Sequence, residues 1–229
     1  MHSGITPAAP WHRLAIDRIR AHFWLKAVGT TIFIWLFFLG YLWTLKNPLF
    51  PVFAMPTTAI DERIAFVPES IFVYGTLWLY VSLPHGLLAT RPALYRYCTA
   101  IALVCLIGLA CFLLWPTAVP PNRHLWELHP DLDFLEGIDA SGNACPSLHV
   151  ATAVFSGIWL HDQLRDVRAP RLLVALNLVW CAAITLSTMT TKQHVFLDVA
   201  AGAVLGAGGA MISLWLHYRH APRAAVPAG

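Results

Sequence analysis

His194 and Asp198 stand four residues apart, and on a helix that spacing puts them on one face, one turn from each other. A carboxylate so placed takes the proton of one imidazole nitrogen, fixes the tautomer and raises the basicity of the other nitrogen. This is the orienting logic of a His–Asp pair in nucleophilic or acid–base catalysis. A second group is Cys145-Pro146-Ser147-Leu148-His149. Ser147 sits where a helix N-cap belongs, and the N–H groups that follow an N-cap attract anions, phosphate above all. His149 falls in the first turn after Ser147, and Lys192 places a positive charge beside His194. The group offers an anion cradle, a nucleophile or base, and a second His as acid. Phosphoryl transfer without a metal requires that set. Each part alone has a plainer reading: an interfacial His bonded to a neighbour, a Pro-Ser helix start, a structural HxxxD pair. The inference rests on their conjunction.

The elements that must position these residues are membrane helices. The chain has 229 residues, only 12% of them charged, and a mean hydropathy of +0.61. A soluble domain carries about 25% charge, so the natural solvent here is lipid. The pattern predicts an all-α polytopic membrane protein, a bundle of six transmembrane helices, each of about 20 residues. The spans are expected at 27–45, 70–88, 98–115, 146–161, 172–189 and 194–216, with Pro84 kinking the second. Residues 1–26 read as an N-terminal interfacial segment in which Trp11, Phe23 and Trp24 suit the headgroup zone. Residues 217–229 read as a short basic tail. Gly202, Gly206 and Gly209 in the sixth span predict close helix packing.

The Lys and Arg residues set the orientation. With six spans, the N-terminus, the second and fourth turns and the tail share a side. That side holds Arg13, Arg18, Arg20, Lys26, Arg91, Arg96, Arg165, Arg168, Arg171, Arg219 and Arg223, against Lys46, Arg63, Arg123 and Lys192 on the other. Eleven and four make up all fifteen basic residues. Both termini are therefore expected in the cytoplasm, and His149 and His194 at the outer face. Short loops suggest a bacterial inner membrane, with the site facing the periplasm. The first apolar run begins after Lys26 with no cleavage signal before it, so the first helix is expected to be retained. Cys98, Cys105, Cys111 and Cys181 lie inside apolar runs as small hydrophobes. Cys145 lies beside the main motif, and no CxxC pair or disulfide framework is evident.

These residues resemble the type 2 phosphatidic acid phosphatase superfamily, six-span lipid phosphatases and phosphotransferases with a three-part signature. Pro146-Ser147-Leu148-His149 matches the second part, with Leu148 in place of Gly. Ser187-Thr188, five residues, His194, three residues and Asp198 match the third, with Thr188 where the family has Arg. The first part, Lys-x6-Arg-Pro, is not intact, and Pro120-Pro121-Asn122-Arg123 is the nearest candidate. The Leu148 variant and the Lys192-Gln193-His194 run are similar to the inositol phosphorylceramide synthase-like branch. The resemblance implies that His194 forms a phosphohistidine, Asp198 orients it, His149 protonates the leaving oxygen, and Ser147, Lys192 and Arg123 hold the phosphate. It implies no metal and no cofactor, because fixed cations and N–H groups stabilise the transition state.

The expected partners are a lipid phosphate and the membrane, and not nucleic acid. The acceptor is open at this stage: water makes a phosphatase, an alcohol makes a lipid phosphotransferase. A non-catalytic relative is a third reading, supported by Thr188 and the broken first motif. A bis-His haem or metal site on His149 and His194 is a fourth, opposed by the charge of Lys192.

Overall fold

The centre of the molecule is not its most apolar helix. In the computed structural model, which describes residues 9–120 and 142–219, the helix Leu148–Asp166 packs against Leu77–Tyr80, Leu83–Gly86, Arg91–Leu114, Arg171–Thr190 and Phe196–Arg219. In chain order the elements are α1 (Trp11–Arg20), α2 (Phe23–Lys46), β1 (Phe53–Ala54), α3 (Ala59–Arg63), a 3-10 turn (Pro68–Ser70), α4 (Ile71–Gly75), α5 (Leu77–Tyr80), α6 (Leu83–Gly86), α7 (Arg91–Leu114), β2 (Thr117–Ala118), α8 (Leu148–Asp166), α9 (Arg171–Thr190) and α10 (Phe196–Arg219).

Four of these, α2, α7, α9 and α10, are long and apolar enough to cross a membrane. They agree with the predicted first, third, fifth and sixth spans to within a few residues, except that α7 starts at Arg91 and α10 continues to Arg219. Their outward faces carry exposed large hydrophobics such as Ile32, Trp35, Leu106, Val179, Val204 and Ile212. Apolar surface of that extent marks a lipid contact.

The two remaining predicted spans differ from the expectation of single apolar helices. Helix α8 has suitable length but carries His149, His161, Asp162, Arg165 and Asp166; it is shielded instead, with Val150, Ala151, Ala153, Phe155 and Trp159 fully buried. The second span is broken into α4, α5 and α6. Thr76 N bonds to Val73 O and Ser82 N to Leu79 O, i to i−3 rather than i−4. The hydroxyl of Thr76 also donates back to Val73 O, which tightens the turn. Pro84 lies in the first turn of α6, where its missing N–H costs no hydrogen bond.

Packing is closest between α8 and α10. A Cβ on Gly202 would meet the carbonyl oxygen of Ser147, and one on Gly206 that of Ala151, so the two backbones touch there. Gly209 faces the Val104 side chain of α7. The predicted glycine packing is thus observed, and its partners are α8 and α7. Buried polar side chains tie the helices: Trp159 Nε1 donates to Ser213 Oγ at 2.8 Å, Tyr80 OH to Asn177 Oδ1 at 2.7 Å, and Asn177 Nδ2 to Gly157 O at 3.0 Å.

The two ends of the bundle have different chemistry. At one end, Arg18 pairs with Asp166 at 2.6 Å and Lys26 donates to the carbonyls of Arg18 and Gly86. At the other, β1 and β2 pair in parallel, Phe53 with Thr117 and Ala54 with Ala118. Asn143 donates to Tyr41 O and Thr44 Oγ1, and Cys145 N to Thr117 Oγ1. These contacts anchor the segment that leads into Ser147.

Candidate active site

The N-terminal ends of α8 and α10 lie side by side, joined by a backbone hydrogen bond from Ser147 N to Asp198 O of 3.0 Å. Ser147 caps α8, its fully buried hydroxyl accepting from Val150 N at 3.3 Å. Capping satisfies one of the orphan N–H groups of the first turn.

His194 is delivered by the turn between α9 and α10. Gln193 N and His194 N both donate to Thr188 O, at 3.1 and 3.0 Å. Lys192 completes the turn with a φ of 58°, a left-handed conformation that non-glycine residues adopt only under local constraint. Asp198 is wholly buried and His194 is 7% exposed. One carboxylate oxygen, Oδ2, accepts from Val195 N at 3.1 Å and lies 3.5 Å from His194 Nδ1. No other partner for His194 Nδ1 occurs among the described residues. A carboxylate on this side of the ring favours the Nδ1–H tautomer. The separation is long for a hydrogen bond.

His149 faces His194 with ring centroids 5.8 Å apart. The hydroxyl of Tyr74 lies 2.8 Å from His149 Nε2 and 3.2 Å from Nδ1, and the two rings stack at 4.6 Å. Trp78 meets the same imidazole edge-on at 6.2 Å. Tyr74 comes from α4, so the broken span supplies a partner for the second histidine. Neither aromatic residue is evident from spacing, because Tyr74 and His149 are far apart in the chain and no motif joins them.

Lys192 is placed differently from the two histidines. Its ammonium donates to Asp61 O at 3.1 Å and Ile64 O at 2.6 Å. Asp61 Oδ1 accepts from Phe196 N at 2.8 Å, while its Oδ2 accepts from Thr58 N and Thr58 Oγ1. Helix α3 is thus fastened across the α9–α10 turn by one cation and one carboxylate, and both N–H groups that open α10 end on acidic side chains. Thr188, where the signature has Arg, is fully buried with its hydroxyl turned back to Thr185 O. Its carbonyl, not its side chain, serves the site. Arg123 lies outside the described residues. Cys145 is buried against this end of the bundle, and burial, with Asp198 nearby, pushes its thiol up to about 11. Among the described residues no three metal-ligating side chains cluster.

His149 and His194 open onto a cavity of about 320 Å³ lined by α2, the broken span, α7 and α8. Its walls are mainly apolar, and Leu148 lines it next to His149. The arrangement places one oriented imidazole, a second imidazole with a hydroxyl partner, and a capped helix N-terminus around a space that apolar groups can enter.

No curated protein and no solved structure matches the chain at a significant level. A family model does: the model of the PAP2 superfamily, the type 2 phosphatidic acid phosphatases, matches residues 59–212. That match runs from α3 through most of α10, takes in Ser147, His149, Lys192, His194 and Asp198, and covers more than half of the protein, so the chain belongs to the PAP2 superfamily.

Proposed function

We propose that the protein is a membrane lipid phosphatase that works through a phosphohistidine on His194, without a metal. The observation that carries this reading is the pair of imidazoles 5.8 Å apart at the head of one cavity, with the Asp198 carboxylate 3.5 Å from Nδ1 of His194. In the first step His194 Nε2 attacks phosphorus, the P–O bond to the lipid breaks, and His149 gives a proton to the leaving oxygen. In the second, His149 takes a proton from water, whose oxygen attacks the phosphohistidine and returns His194 with inorganic phosphate. Asp198 holds the ring and balances the charge that develops on it. The proposed phosphate contacts are Ser147, Lys192 and Arg123. For Lys192 that role requires the ammonium to leave the carbonyls of Asp61 and Ile64.

In this reading α8 and the broken segment complete six crossings, both termini are cytoplasmic, and the site faces the periplasm of a bacterial inner membrane. A second reading keeps the phosphohistidine and passes the phosphoryl group to an alcohol. Leu148 favours it, since an apolar wall beside His149 excludes water more readily than it excludes a lipid alcohol.

The test is phosphate release by the purified protein in detergent with EDTA present, using phosphatidic acid, phosphatidylglycerol phosphate and undecaprenyl pyrophosphate, beside His194→Ala. Release that survives EDTA and is lost in the variant is the expected result. Label that stays in the lipid fraction when an alcohol is supplied identifies the transferase. No release and no transfer from any substrate by folded protein would leave a non-catalytic relative.

A further inference from the structure

The cavity below the histidines is much longer than a phosphate needs. Along α2 its lining extends from Leu25 to Tyr41, a stretch of helix about 24 Å long at roughly 1.5 Å per residue. One leaflet of hydrocarbon is about 15 Å deep, half of a core about 30 Å thick. The head end holds His149, His194 and Asn143, and the middle is walled by residues such as Phe33, Phe37, Leu77 and Ile101. The far end is polar. There Thr30 Oγ1 pairs with His85 Nε2 at 2.8 Å, and Lys26 Nζ donates to Arg18 O at 2.6 Å and Gly86 O at 2.9 Å. A hydrocarbon end pushed into that cluster would strip hydrogen bonds from groups that have no replacement in an apolar setting.

Resting on the reading of the site as a lipid phosphate enzyme, we propose that one hydrocarbon chain of the substrate lies along this cavity, and that Lys26, Thr30 and His85 form the stop that sets the longest chain accepted. The substrate class is a lipid phosphate whose chain reaches past the middle of the bilayer. The phosphate sits at the histidines, the chain follows the inner face of α2, and its end meets the polar stop. Continuity with the histidines is what identifies the occupant: a chain that enters beside His149 meets this apolar space directly.

Gly29 supplies the test. It lines the cavity one turn from Lys26, and a Cβ built there meets nothing within 4 Å. Gly29→Trp therefore adds bulk just above the stop from a Cβ that meets no neighbour. Gly208 on α10 also has open space around it but does not line the cavity, so Gly208→Trp is the control. Turnover of alkyl phosphates from hexyl to eicosyl in mixed micelles should rise with chain length, reach an optimum and fall. In Gly29→Trp the optimum should move to shorter chains, with a loss on the order of tenfold in kcat/KM for the longest and little change for the shortest. An optimum that stays in place, or that Gly208→Trp moves equally, overturns the proposal.

Chain-length dependence of the rise in Tm given by non-hydrolysable alkyl phosphonates over the same series reads the stop without turnover. If no alkyl phosphate is hydrolysed but the phosphonate optimum shortens in Gly29→Trp, the hydrolase reading fails and the stop stands. If the phosphonates stabilise without regard to length, the stop fails whatever the activity.

Discussion

The two sides of the bundle are built to different standards of fit. Where α8 meets α10, main chain touches main chain at Gly202 and Gly206, and a hydrogen bond from Ser147 to Asp198 joins the two helix starts. Across the cavity, α2 faces the broken span and α7 with most of its surface exposed, and among its residues only Lys26 and Thr44 are buried. The close seam carries His149, His194 and Asp198. The loose side carries long apolar walls and open glycines. The proposed roles fit that contrast: fixed geometry is needed where a proton and a phosphoryl group move over tenths of an ångström, and an apolar chain needs only room and a boundary.

The comparison can be broken most severely at Asp198. Asp198→Asn keeps the shape but offers His194 the wrong hydrogen-bond partner, and kcat for phosphate release should fall by roughly 10³- to 10⁴-fold with little change in Tm. A drop of only a few-fold would show that the tautomer of His194 is set elsewhere. The next effect separates the two sides directly. Gly202→Ala presses a methyl against the Ser147 carbonyl and should destabilise the protein by about 1–3 kcal/mol while lowering kcat. Gly29→Ala meets no neighbour and should be neutral or stabilising by up to about 1 kcal/mol, since alanine is the better helix former. Detergent melts of both variants read this contrast, and equal losses in the two would mean that the sides do not differ in fit.

Tyr74→Phe removes the hydroxyl beside His149 and leaves the ring stack. The expected result is a loss of about tenfold in kcat, the equivalent of a hydrogen bond worth roughly 1–1.5 kcal/mol, with a displaced acid or base limb in the pH–rate profile. A change in KM alone would assign Tyr74 to substrate contact instead. The smallest effect concerns Cys145. With its thiol at about 11, the thiolate fraction near pH 8 is on the order of one in a thousand. Alkylation of the folded protein should therefore spare Cys145 at pH 8 and label it only when the pH rises well above 10 or the protein unfolds, a difference that peptide mass mapping reads.

The extent to which the primary structure reveals these features follows from the range of each interaction. Helices α2, α7, α9 and α10 are legible because hydropathy is summed locally over some twenty residues. His194 with Asp198, and Ser147 with His149, are legible because helix geometry converts a spacing of three or four, or an N-cap position, into a shared site. The breaks at Thr76 and Ser82 are less so: apolar content there is high, and only Pro84 hints that the run is not one straight helix. Tyr74 against His149, and Asp61 against the start of α10, join residues 75 and 135 positions apart; nothing periodic encodes them. Lys192 shows the opposite limit. Its charge next to His194 is plain from the sequence, but the carbonyls of Asp61 and Ile64 that hold it are brought there only by the fold.

The bond from Ser147 N to Asp198 O has a mechanical consequence. It couples the two helix starts so that lateral pressure, or a thinner bilayer that tilts α10, carries α8 along. In the proposed reading, that coupling would help hold the spacing of the two imidazoles as the thickness and tension of the surrounding lipid change. If the protein acts on lipids as proposed, the looser packing beside α2 predicts that a change in the host membrane retunes which lipids are admitted before it alters how fast a bound one reacts.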